Sequence, residues 1–317
     1  MLNIHLNHKI LLFFVLFLQV IIIQGKGGDT LLLNPKLKKG DVLKYKAIRE
    51  TLIKNRKPVV ETKKFMFYID SVSDEHYYLH YSRLLSEEDD MLMLAPDLKQ
   101  EVDKIKLKFT LNYNGQLVSL TNEKSYYKEC NDLLKKIASS YEKQRGKKKK
   151  KKAYSDLFFE YTFIKSTPHI EFAENLAAVF STQITTVISD SIFKQKSSIQ
   201  GISEGLVNGF HSTKVLKNKP TDSFNTIYQD FTADGGGYYN FVSDYLKSKY
   251  GESYNPSDAK VISYMENDNT KIYEQWVLEH HKGSGVNKKV NYERRFQIFD
   301  STLIVLTQYK LSIDKIQ

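Results

Sequence analysis

The chain has 317 residues, of which 41% are hydrophobic and 13% aromatic, enough to bury one large domain or two small ones. Its formal charge of +10 is local: Lys143, Arg145 and Lys147 to Lys152 supply eight positive charges in ten residues, leaving +2 for the rest. A dispersed basic groove for nucleic acid is therefore not required. The single cysteine, Cys130, excludes an internal disulfide framework.

Taken in order, Lys9 precedes an apolar run from Ile10 to Ile23, broken only by Gln19 and followed by Gln24, Gly25 and Lys26. A bilayer span needs ~20 apolar residues, so this shorter run reads as a signal peptide over residues 1–25. An uncleaved anchor is the alternative. The mature chain is then a single exported domain, 26–317, periplasmic or secreted. The only Asn-x-Ser/Thr match, Asn255-Pro256-Ser257, is blocked by its proline, which leans towards bacterial export.

From Lys39, alternation of Leu43, Tyr45 and Ala47 with lysines predicts a first strand, Val59 to Val72 a second and Glu75 to Leu85 a third. Lys104 to Tyr113 alternates apolar and polar residues, and Asn114-Gly115 suits a two-residue type I′ turn. That hairpin sets Leu111 opposite Val118, Phe109 opposite Leu120 and Thr110 opposite Ser119. Asn122 then marks a change of period. Tyr126, Cys130, Leu133, Leu134, Ile137 and Tyr141 predict an amphipathic helix that ends in the lysine run, with Cys130 on its buried stripe. Tyr154 to Ile164 is ambiguous between strand and helix. Thr167-Pro168 starts another helix, with Phe172, Leu176, Phe180, Ile184 and Val187 as its stripe. Ser197 to Gly209 reads as a loop. Asp234 and three glycines precede a short helix closed at Gly251, and four strands follow: Lys260 to Met265, Ile272 to Leu278, Lys289 to Phe299 and Leu303 to Ile313.

The expected fold is therefore α+β: a curved, mainly antiparallel, half-barrel-like sheet with a helical block, about 122–251, packed on one face and containing a Lys-rich loop, 143–152.

Chemistry is sparse. Glu279, His280 and His281 are neighbours on a strand and point to opposite faces, without a second ligand pair, so no metal is expected. Asp234-Gly-Gly-Gly and Gly283-Ser-Gly lack the Lys-Ser/Thr of a phosphate loop and read as turns. His211-Ser212 has no nucleophile elbow around it. Cys130 reads as core. No cofactor and no catalytic residue are expected. The lysine run reads as a solvated loop dispensable for folding, or as a contact of Lys147, Lys148, Lys149, Lys150, Lys151 and Lys152 with an anionic membrane or protein surface.

Gly40, Asp41 and Tyr45 at the first strand, the Tyr-rich strands and the stretch Asn114 to Asn122 together resemble uncharacterised exported proteins of the Bacteroidetes type. The strand, helix and strand order resembles the half-barrels of periplasmic lipoprotein carriers. The resemblance implies a one-sided sheet whose concavity holds a lipid or other apolar ligand, and it carries over no catalytic residue. The expected function is non-catalytic binding of an apolar ligand or a protein partner. The alternatives are a secreted hydrolase, or a surface protein that uses the lysine run.

Overall fold

A computed structural model describes residues 22–24, 30–53, 56–84, 101, 104–145, 171–180, 186–188, 192–200, 206–216, 221–253, 255, 270–299 and 304–316. The strands are β1 (Ile22–Gln24), β2 (Thr30–Leu32), β3 (Val42–Ile53), β4 (Val59–Val72), β5 (His76–Leu84), β6 (Leu107–Asn112), β7 (Leu117–Leu120), β8 (Thr186–Ile188), β9 (Ile192–Gln200), β10 (Leu206–Leu216), β11 (Phe224–Ala233), β12 (Thr270–His281), β13 (Asn287–Phe299) and β14 (Ile304–Ile316). The helices are α1 (Glu123–Arg145), α2 (171–180) and α3 (Gly235–Tyr250).

Twelve strands form one open antiparallel sheet in the order β1-β9-β10-β11-β12-β13-β14-β3-β4-β5-β6-β7, and β2 pairs with β8 separately. It consists of two meanders, β3 to β7 and β9 to β14, joined where the last strand pairs with β3, with β1 added at the edge beside β9. One face is covered. Tyr45, Phe65, Phe67, Ile69, Leu79, Phe109 and Leu111 are buried there by alternation along their strands, and Phe172, Leu176, Val179 and Phe180 of α2 pack against them. A second cluster sits under α3, where Phe241, Val242 and Leu246 meet Val207, Phe231 and Phe296. Four buried side chains on α2, at ~1.5–3 kcal/mol each, outweigh any ion pair it makes, so apolar burial retains the helix and polar contacts fix its position.

The expected α+β class with a helical block over 122–251 is overturned, because one large antiparallel sheet dominates and β8, β9, β10 and β11 all lie within that span. The cause is legible in β10. Its buried positions are Val207, Gly209, His211, Thr213 and Val215, so polar residues occupy the apolar half of the alternation and mute it. The predicted loop from Ser197 to Gly209 is instead the end of β9 and the start of β10. Val187, placed on a helix stripe, lies in β8. Strand Val59–Val72 is found at its expected bounds, and Ile272 to Leu278 and Lys289 to Phe299 lie inside the longer strands β12 and β13. Residues 1–21, Tyr154 to Ile164, Thr167-Pro168, Lys260 to Met265 and Lys147 to Lys152 lie outside the described residues.

The central hairpin keeps Phe109 opposite Leu120 and Thr110 opposite Ser119, but Leu111 faces Leu117 across a bulge. The Asn112 amide donates to the Gln116 carbonyl and the Gly115 amide to the Asn112 carbonyl, which makes a three-residue loop rather than a two-residue one. Asn112 imposes it, because its side-chain oxygen accepts from the amides of Asn114 and Gln116. Gly115, at φ +77°, closes the loop against Pro35 and Phe180. Asn122 also does more than start a helix. Its side-chain amide accepts from the Lys108 backbone amide and donates to the Lys106 carbonyl, so the side chain continues the ladder of β6.

At α3 the Asp234 carboxylate caps the helix by accepting from the Gly237 amide. A Cβ on Gly237 would stand 2.0 Å from the Asn208 carbonyl oxygen, whereas one on Gly236 would meet nothing nearer than 3.5 Å. Thermal melts should therefore separate the two neighbours. Gly236→Ala, which improves helix propensity, should raise the melting temperature by ~1–3 °C, and Gly237→Ala should lower it by roughly 4 °C or more.

Candidate functional site

The candidate site is a polar band on the covered face, lying between the two apolar clusters. Strand register builds it in two rows. The first runs Thr213, Gln229, Trp276, Tyr292, Leu311, Arg49 across β10, β11, β12, β13, β14 and β3. The second runs His211, Phe231, Glu274, Arg294, Tyr309. Next to the first row is an apolar one, Val215, Ile227, Leu278, Val290, Ile313 and Ala47, so the band begins abruptly.

One node of the band centres on Glu274, which is buried. Its carboxylate accepts from Tyr292 Oη at 2.9 Å and Arg294 Nε at 3.0 Å, and stands 3.3 Å from His211 Nε2. Burial pushes this carboxyl up, and the hydrogen bond from His211 with the charge of Arg294 outweighs it, so Glu274 is held below the usual carboxylate range. It stays an anion with its oxygens occupied, which suits a scaffold better than a proton donor. Burial and the neighbouring Glu274 push the Tyr292 hydroxyl well up, keeping it a donor.

The other node centres on Arg49, whose side chain is 8% exposed. Arg49 Nε donates to Glu174 at 3.2 Å and Nη2 to Asn175 Oδ1 at 2.9 Å, while Lys63 Nζ donates to Glu171 at 3.0 Å. Asn175 donates on to Tyr81 Oη, and Tyr309 Oη lies 3.0 Å from both oxygens of Glu174. Burial would raise the Glu171 carboxyl, but Arg83, Lys63 and Arg49 together hold it down. These contacts come from residues 171–175, on the first turn of the described part of α2. Its other end is fixed by Asn287, which donates to the Ala178 carbonyl at 2.5 Å, accepts from Tyr45 Oη through its backbone oxygen and from His280 Nδ1 through Oδ1.

The nodes meet through aromatic rings. Tyr309 lies 5.9 Å from Tyr292, and Trp276 lies 4.1 Å from Tyr292, centroid to centroid. Trp276, Tyr309, Arg294 and Glu174 are half-buried, so here the band reaches solvent with two ring surfaces, one guanidinium and one carboxylate. A shallow depression of about 320 Å³ lies on the opposite face around Ile48, Gln275, Val277 and Asn291, beside the alternating charges Glu293, Lys310 and Glu50.

The residues singled out by sequence fall as follows. His211 faces the band and Ser212 the other side of the sheet. His280 is buried on Asn287, whereas His281 turns to Ser284 in the β12–β13 turn. Among the described residues no three His, Cys, Asp or Glu side chains stand together as a metal set. The two glycine motifs serve close packing: Gly237 on Asn208, and Gly285, at φ +64°, against the Asn34 carbonyl. Burial pushes the Cys130 thiol up to about 11, which leaves it un-ionised at neutral pH and packed against the core. Lys147 to Lys152 cannot be placed relative to the band, since they are outside the described residues. Sequence reading missed the band itself. The one available signal was polar residues at the buried parity of strands β10 to β13.

Compared with known proteins, the chain matches no family model and no curated protein. No described helix is long and apolar enough to cross a membrane.

The buried His280 gives the fold a pH dependence. Desolvation lowers its pKa to about 4, against 6.5 ordinarily. The unfolded chain thus takes up a proton before the folded one does, so stability is complete above pH 6.5 and falls as pH drops from 6.5 towards 4. Denaturant melts across this window should show a loss of about 3 kcal/mol in the parent protein. His280→Gln, which keeps a donor for Asn287, should flatten that slope. The depressed Glu171 and Glu274 add to the loss once pH falls below about 4.5, where their unfolded counterparts take up protons first.

Proposed function

We propose that this protein is an exported, non-catalytic binding protein that holds an apolar ligand with a polar end on the covered face of its sheet. The observation that carries this reading is the half-exposed group Trp276, Tyr309, Arg294 and Glu174, set between two apolar clusters and held rigid by buried partners. Aromatic surface with a few fixed polar groups is the usual lining of a small-molecule site. Rings already packed against one another, as Trp276 and Tyr309 are against Tyr292, lose little freedom on binding, which favours affinity. Arg294 suits an anionic or hydroxylated end, since its guanidinium is already oriented by Glu274 and Tyr292.

Catalysis at the band is the weaker reading. Glu274 is engaged by three donors, and the hydroxyls of Tyr292 and Tyr309 are held neutral by burial and by the carboxylates beside them. An anionic-surface role for Lys147 to Lys152 is compatible with ligand binding and would add a docking partner.

Trp276 is the only tryptophan in the chain, so its emission reports this site alone. Titrating a twelve-carbon fatty acid should shift that emission to the blue and saturate. Tyr309→Ala should weaken binding by roughly tenfold, equivalent to ~1.4 kcal/mol, without loss of fold. A flat titration, with no lipid co-purifying from extract, would remove the proposal.

A further inference from the structure

On the face of the sheet opposite the band, one corner differs from the rest. From β11 to β14 the polar groups of that face bond one another: Gln275 donates to Asp230, Arg295 and Gln308 donate to Glu293, and Ser312 donates to Asn291. β9 and β10 hold no acidic residue at all. Their outward positions include Lys194, Lys196 and Lys214, all exposed, and Ile192, Leu206 and Phe210, which are 50, 45 and 42% exposed. The other sides of the same strands bury Ile199, Val207 and Val215, so alternation fixes these six side chains outward, and a slip in register would expose the core instead.

Register spaces the three apolar side chains. Ile192 pairs with Lys214, Lys196 with Phe210 and Gln200 with Leu206, so they stand at intervals of four residues along the ladder, roughly 13 Å apart. Between the first two lies the pair Lys194 and Ser212, and between the last two the pair Ser198 and Asn208, which bond each other. A protein interface is built round a contiguous apolar centre depleted of charge, and this corner has none. Lysines on an edge strand also oppose pairing with a second copy. A bilayer surface makes no such demand. Each apolar side chain enters the interfacial layer by itself, while lysine heads on their long stems meet the lipid phosphates.

We propose that the outward face of β9 and β10 docks on an anionic phospholipid surface, with Lys194, Lys196 and Lys214 on the phosphates and Ile192, Leu206 and Phe210 in the interfacial layer. This surface lies on the other side of the sheet from the ligand-holding band and does not depend on it. It also uses none of the lysines from Lys147 to Lys152.

Co-sedimentation of the full-length chain with vesicles tests this, comparing pure phosphatidylcholine with phosphatidylcholine mixed with phosphatidylglycerol. The parent protein should bind the mixed vesicles and leave them as salt is raised. Lys194→Ser, Lys196→Ser and Lys214→Ser combined should cut that binding by about tenfold or more, with the lysine run intact. Lys38→Ser, Lys39→Ser and Lys44→Ser combined remove the same charge from other exposed positions and should cost much less. Phe210→Ser changes no charge and should still weaken binding by about threefold or more. Every substituted side chain is exposed, so the melting temperatures should not move. A parent that ignores the mixed vesicles or binds pure phosphatidylcholine equally well would overturn the proposal. So would a control triple as damaging as the β9–β10 triple, or a Phe210→Ser variant that binds as tightly as the parent. Capture by poly-glutamate in place of vesicles would point to an acidic protein partner and overturn it as well.

Discussion

The pairing of β3 with β14 is the constraint on which the rest of the structure depends. Ten consecutive residue pairs, from Thr307↔Ile53 to Ile316↔Lys44, join strands from opposite ends of the chain. Each meander pairs strands that follow one another in sequence. Only this seam makes them one sheet. It also assembles the band, since Arg49 belongs to the first meander, Glu274 and Arg294 to the second, and Tyr309 sits on the seam strand touching Glu174. Closing some 250 residues costs loop entropy that grows only slowly with length, so the burial of Tyr45, Ala47, Leu311 and Ile313 along the seam offsets it readily.

A charged band across a covered face needs a reason, because ion pairs taken out of water contribute little net stability and apolar substitutes often do as well. Two reasons fit this one. The band sets register: sliding β14 by one residue against β3 would bring Lys310 and Ser312 inside and put Leu311 and Ile313 in water. It also divides the covered face into two apolar clusters and leaves Trp276 and Tyr309 between them, half-buried and held by buried polar partners. Each carboxylate has several donors and each of these tyrosines an acceptor, so the network is close to complete, the state in which buried polar groups rigidify rather than destabilise.

How much of this could be read from sequence depended on which residues faced the core. In β3, β4, β5 and β6 the buried positions are Leu43, Tyr45, Phe65, Phe67, Leu79 and Phe109, and alternation alone located the strands. In β9, β10 and β11 the inward positions include half-buried Gln195 and Ser197 and buried His211, Thr213 and Gln229, so the alternation vanished and a helical block was read instead. The type I′ turn failed for a smaller reason, the preference of the Asn112 side chain for the amides of Asn114 and Gln116. The candidate site was illegible because its members, Arg49, Glu171, Glu174, Glu274, Arg294 and Tyr309, are scattered through the chain and meet only in the folded sheet and against α2. No local motif can encode that.

Native-state hydrogen exchange tests the role of the seam most directly. If the two meanders are one cooperative sheet, the amides of β3 and β14 will share the slowest exchange with those of β4, β12 and β13, and all will open together as denaturant is raised. If β9 to β14 open at a distinctly lower free energy than β3 to β6, with the β14 amides following the former and the β3 amides the latter, the seam is only a contact between independent units, and the sheet does not depend on it.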